Sequence, residues 1–161
     1  MGEEYCLNDL KEDYEKIRKK HNLPSFEQLN EDFQIEKVAE CETDYLIREV
    51  RKYISDKFAN YLRFIESLLN PVNVPLFVYS IIKHLSKEDN EKLKEIYQKI
   101  AKREVYIIEV DIEYNEKKEA EFIQESFKFW QEIKKEILEI IDKIKENWDN
   151  KSEKNNKGYY G

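Results

Sequence analysis

Carboxylates at helical intervals are the residues of this chain whose types and spacing could do chemistry. Glu12 and Glu15 stand three apart, as do Glu136, Glu139 and Asp142, an interval that puts oxygens on one helix face and suits a hard cation such as magnesium. All-α nucleotide pyrophosphohydrolases use paired motifs of this form, so magnesium-assisted hydrolysis is the one enzymatic mechanism with parts in hand. A second acidic group, Glu109, Glu113 and Glu116, would share a face if 104–118 were helical and would repel at a cost of about a few tenths of a kcal/mol, inviting a cation or a basic partner. The plainer reading weighs against both. With 35 acidic residues in 161, such intervals arise by chance and equally mark a solvated, ion-paired face. No catalytic or cofactor-binding residue is assigned and no cofactor is expected. The metal candidates are Glu109, Glu113, Glu116, Glu136, Glu139 and Asp142.

The other chemistries lack parts. The two histidines, His21 and His84, cannot build a His-rich metal centre. The residues three before them are Arg18 and Ile81, so the Glu-x-x-His pairs of a carboxylate-bridged di-metal bundle are missing. His21 is expected to close a helix near its last carbonyls, and His84 to be a satisfied residue in an apolar segment. Cys6 and Cys41 are too few for a disulfide framework or a Cys-rich zinc site and are expected to be free thiols. No P-loop, GxGxxG, GxSxG, zinc or EF-hand motif occurs. Met1-Gly2 begins like a myristoylation signal, but Cys6 stands where Ser or Thr is required.

Nucleic acid is a separate possibility. Lys16, Arg18, Lys19 and Lys20 form one basic cluster and Arg48, Arg51 and Lys52 another, and eleven tyrosines could stack on bases. Acids interrupt or flank both clusters, and a net charge of −7 opposes a general phosphate binder.

The elements that must carry these residues read as helices. Three Gly and three Pro supply few tight turns, which argues against a many-stranded architecture. The organising stretch is 43–70, free of Gly and Pro, with Ile47, Val50, Ile54, Phe58, Tyr61, Ile65 and Leu68 on one stripe. Arg48, Lys52, Ser55, Asp56, Arg63 and Ser67 fall opposite, Thr43 is the expected N-cap and Pro71 ends the run. A first helix is predicted over 7–21, with Leu7, Leu10, Tyr14 and Ile17 inward. Ser25 and Gln28 have capping-box spacing for a short helix containing Phe26, Leu29 and Phe33, and another short helix is predicted around Ile35 and Val38.

Beyond Pro71 and Pro75, the segment 76–85 is apolar almost all round and is predicted to be the most buried. Ser86 and Asp89 then form a capping box for a helix with Leu93, Ile96, Ile100 and Ile107 inward. The stretch 105–114 alternates like a strand, but no second run offers it a partner, so helix is favoured, with Asn115 as the break. The final helix, about 116–148, carries Ile123, Phe127, Trp130, Ile133, Ile137, Ile140, Ile144 and Trp148 in a near-heptad rhythm. The polar residues 149–161 read as a disordered tail.

The segment Asn22–Glu36, NLPSFEQLNEDFQIE, together with FIESLLNP at Phe64–Pro71, resembles a group of all-helical archaeal proteins without an assigned function. The resemblance spans about half the chain, implies a cytoplasmic helical fold and transfers no site residues.

The expected architecture is all-α: a single bundle domain of about five or six helices over 1–148, with two long helices at 43–70 and about 116–148. No apolar run reaches the length of a membrane span and no signal peptide opens the chain, so a cytoplasmic protein without a membrane partner is expected. By elimination, the expected function is non-catalytic protein–protein interaction or complex assembly, with a protein partner or homo-oligomer. The alternatives are a nucleic-acid-associated protein and a magnesium-dependent pyrophosphohydrolase. The positive sign is an excess of aromatics off the main seams, Tyr5, Tyr45, Phe64, Tyr106, Phe129, Tyr159 and Tyr160. The seam of the last helix could also pair with a second copy of itself.

Overall fold

A computed structural model describes the backbone of residues 6–40 and 43–157 and the side chains of residues 6–40 and 43–150. Tyr5, Cys41, Tyr159, Tyr160 and the Met1-Gly2 start therefore lie outside the described residues. Among those described, the fold is an all-α, strand-free helical bundle: α1 (Leu7–His21), α2 (Phe26–Phe33), a 3₁₀ segment (Ile35–Glu40), α3 (Leu46–Leu69), α4 (Leu76–Ile82), α5 (Lys87–Ile112) and α6 (Glu116–Lys157). The alternating stretch 105–114 lies mostly in α5, because its apolar residues serve two helix faces. Ile107 and Val110 are buried, while Val105, Ile108 and Ile112 are exposed. Asn115 caps α6, its Oδ1 accepting from the Lys118 amide at 3.1 Å. Helix α6 continues to Lys157, into the stretch whose composition predicts a tail. Extending an existing helix requires no new nucleus.

The chain divides into two compact units, one of residues up to Asn60 with Lys102–Trp130, the other of Tyr61–Ala101 with the residues from Gln131 on. In the first unit, Ser25 and Gln28 form the predicted reciprocal box, at 3.2 and 2.9 Å. Asn22 and Gln34 end α1 and α2 in the left-handed region at φ 53°. Tyr14 donates to the Pro24 carbonyl at 2.6 Å, and burial pushes its hydroxyl pKa well up. Phe33, Phe58 and Trp130 meet at centroid distances of 6.0 to 6.2 Å, with the Lys57 ammonium 4.9 Å from the Trp130 ring.

The second unit has an aliphatic core of Ile65, Leu68, Val78, Leu93, Ile96, Ile100, Ile133, Ile137 and Ile140. Ser86 and Asp89 cap α5 with two 3.0 Å bonds, and Lys143 approaches Asp89 at 3.4 Å. Burial alone would raise the Asp89 pKa, but bonds from the Ser86 backbone and hydroxyl and from Lys143 outweigh it and hold the carboxyl below its ordinary value.

Three local expectations are corrected. Thr43 is not the N-cap of α3. Its hydroxyl accepts from the Tyr45 amide, and the Tyr45 carbonyl accepts from Arg48 and Glu49. Ser55, expected on the solvent side, is buried. The segment 76–85 is not the most buried: only Val78 of α4 is buried, while Leu76, Phe77 and Tyr79 are 85%, 60% and 41% exposed. A helix of two turns can turn one stripe inward, so apolar residues all round it leave most outside.

Candidate functional site

Two features could carry function, and each belongs to one unit. The first is a buried ion cluster around Arg51. Four residues after Ile47 and three before Ile54, Arg51 occupies an inward register of α3 and is 1% exposed. Its Nε donates to Glu119 Oε2 at 2.6 Å, its Nη2 donates to Asp111 Oδ1 at 2.6 Å, and its Nη1 reaches Ser55 Oγ at 3.5 Å. Glu119, in the first turns of α6, is fully buried. Arg48 completes the group, donating to the Asp111 carbonyl at 2.8 Å and standing 3.8 Å from carboxylate oxygens of both Asp111 and Glu119. Burial would lower the Arg51 pKa, but the hydrogen bonds and charges of Glu119 and Asp111 more than offset this and hold it above its usual value.

Two guanidinium groups thus face two carboxylates. Both acids are committed to cations, so neither is placed as a general base or a metal ligand. The cluster ties α3 to the end of α5 and the start of α6, which is a structural task. The same geometry takes Arg51 out of the basic group Arg48, Arg51 and Lys52. An arginine at an inward position was the available signal for this cluster, and Glu119, four residues before inward Ile123, was its counterpart. A second guanidinium that sequence reasoning missed is Arg103. It pairs with Glu125 at 3.0 Å, donates to Ser126 Oγ at 2.7 Å and lies 5.0 Å from the Phe122 ring centroid.

The predicted carboxylates converge on no metal site among the described residues, although Glu136, Glu139 and Asp142 all lie on α6. Glu109 ends up with Lys118 at 3.0 Å. Glu113 lies beyond the end of α5 and is exposed, and Glu116 opens α6, so the three do not share one helix. Glu116 Oε1 sits 2.9 Å from Lys20 Nζ and 2.7 Å from His21 Nε2, bonds that hold its pKa below the usual carboxylate value. Glu136 faces Lys99 at 3.6 Å, Asp142 faces Lys145 at 3.6 Å, and Glu139 is exposed. Glu15 pairs with Arg18 at 3.0 Å. Among the described residues, no group of three or more His, Cys, Asp or Glu side chains could hold a metal ion. His84 stacks on Trp148 at 4.6 Å, and its backbone carbonyl accepts from Asn147.

The second feature is a cavity of about 160 Å³ in the second unit. Tyr61, Phe64, Ile65 and Leu68 of α3 form one wall, and Ile137, Ile140, Ile141 and Ile144 of α6 form another. Ile81 of α4 and Leu93 of α5 close it, and Lys145 is the one charged residue of the lining. Phe64 and Lys145 are the lining residues that are exposed, Phe64 at 39%. The sequence puts Tyr61, Ile65, Leu68, Leu93, Ile137, Ile140 and Ile144 on inward stripes and Phe64 off the main seams, and those stripes do not reveal that the helices leave space between them. No family model, curated protein or solved structure matches the chain. Among the described residues, no helix is long and apolar enough to cross a membrane.

Proposed function

We propose that this is a non-catalytic cytoplasmic interaction or assembly protein, and that its partner-binding face is the outer stripe of α5. One observation carries the reading. Val105, Ile108 and Ile112 recur at i, i+3 and i+7 on the side of α5 away from buried Ile107 and Val110, and they are 65%, 60% and 80% exposed. Tyr106, 43% exposed, adds an aromatic edge. Three aliphatic side chains at that spacing form a stripe of the kind that helix–helix recognition uses, and leaving it in water forfeits its burial energy. A protein helix, from a partner or a second copy, is the matching occupant. The nucleic-acid reading is weakened by the commitment of Arg51 to Glu119, and the magnesium reading by the dispersal of the carboxylates.

The test is a low-salt pull-down with and without nuclease, alongside light scattering on the purified chain, using wild type and Ile108→Glu. A stoichiometric protein partner or stable oligomer that survives nuclease and is lost in Ile108→Glu is the expected result. A monomer that retains no protein, or association that disappears with nuclease, overturns the reading.

A further inference from the structure

We propose that the cavity of the second unit is a binding site for the aliphatic chain of a fatty-acid carboxylate, with Lys145 taking the head group. This goes beyond the interaction reading and does not depend on it, since it concerns the other unit and different chemistry. Size is the first argument. A closed apolar void of about 150 Å³ stays dry and admits benzene, a six-carbon guest. The cavity here, about 160 Å³, is of that size and has a mouth. Such a space accepts roughly six carbons of a chain.

Wall chemistry is the second argument. Apart from the Tyr61 hydroxyl and the Lys145 ammonium, the lining side chains are hydrocarbon, so a polar guest would lose its hydrogen bonds on entry. Aliphatic walls of isoleucine and leucine select a chain by area rather than by shape.

Charge complementarity at the mouth is the third argument. Lys145 is the only charged residue of the lining, and its present partner is Asp142, 3.6 Å away on the same helix. Both side chains of that pair are 69% exposed, so the pairing is weak and a ligand carboxylate can displace it. Lys145 both lines the cavity and is largely exposed, and a long apolar stem with a charged end suits an amphiphile.

The test uses the full chain labelled at isoleucine δ-methyl groups and titrated with butanoate, hexanoate, octanoate and 1-octanol. The methyls of Ile65, Ile137, Ile140, Ile141 and Ile144 should shift, while those of Ile47, Ile54 and Ile123 in the first unit should not. Affinity should rise roughly fourfold per added methylene, the factor for burying one CH₂ group, and level off near six carbons. Ile144→Trp pushes a larger ring into the cavity and should weaken every shift while keeping the helical spectrum. Lys145→Met keeps the stem and should equalise octanoate and 1-octanol. Methyls unmoved by every ligand, binding without chain-length dependence, or binding undiminished by Ile144→Trp overturns the site. Equal affinity of the wild type for octanoate and 1-octanol overturns the head-group assignment.

Discussion

The two units solve the problem of an interior in opposite ways. The first encloses charge: Arg51 and Glu119 are buried together, and an aromatic group of Phe33, Phe58 and Trp130 packs in the same unit. The second buries one charged group, Asp89 at the start of α5, and is otherwise built from aliphatic side chains that leave a cavity among them. Buried charge demands partners at fixed positions, so the helices carrying it are held in register. Aliphatic contacts are non-directional and tolerate a gap. Rigid polar specification therefore marks the first unit, whose clefts are lined largely by charged side chains, and unfilled apolar surface marks the second, where a guest fits.

The largest effect expected from breaking this contrast comes from Arg51→Met. It takes the hydrogen-bonded cation from the fully buried Glu119 carboxylate and leaves it only Arg48 at 3.8 Å, and removal of one partner of a buried pair costs about 3–5 kcal/mol. Denaturant unfolding measures it, and a loss under about 1 kcal/mol would mean that the cluster is wetter than its geometry implies. Replacing both partners, Arg51→Met with Glu119→Leu, should recover much of the loss, because two apolar groups leave no orphan charge.

Next is Ser86→Ala in the second unit. It removes the hydroxyl that accepts from the Asp89 amide and should cost about 1 kcal/mol in the same assay. Asp89 adds a pH signature. Its folded pKa lies below its ordinary value, so its contribution is complete above the ordinary carboxylate range and is lost as pH falls through the folded value. Stability followed downward in pH should show this acid step in wild type, and Asp89→Asn should lack it.

The smallest stability effect is expected at the outer stripe of α5. Ile112→Ser, at a side chain 80% exposed, should leave unfolding within about 0.5 kcal/mol of wild type while weakening partner binding. A large loss of stability there would show that the stripe is covered within the chain and is not a docking face.

Much of this architecture was legible in sequence where a local rule decides the outcome. The boxes Ser25/Gln28 and Ser86/Asp89 satisfy helix-end amides with atoms three residues away, and both formed as predicted. The inward stripe of α3 also held at Ile47, Val50, Ile54, Phe58, Ile65 and Leu68, with Tyr61 only half-buried, because periodicity and burial largely coincide over so long a helix. What escaped depends on distant residues. Arg51 stands in the sequence beside Arg48 and Lys52 and reads as part of a basic surface, because Glu119 lies 68 residues away. The exposure of Leu76 and Phe77 escaped for the converse reason. Hydropathy reports what a segment could bury, and the neighbours decide how much of it they cover. The cavity was invisible because its lining residues are ordinary core types at ordinary intervals.

Xenon tests the central contrast most directly, since it seeks apolar space without regard to charge or hydrogen bonds. Isoleucine-methyl spectra would be recorded with and without xenon pressure. The account predicts saturable shifts at Ile65, Ile137, Ile140, Ile141 and Ile144, with Ile47, Ile54 and Ile123 unmoved. Shifts confined to the first unit, or none in either, would contradict it.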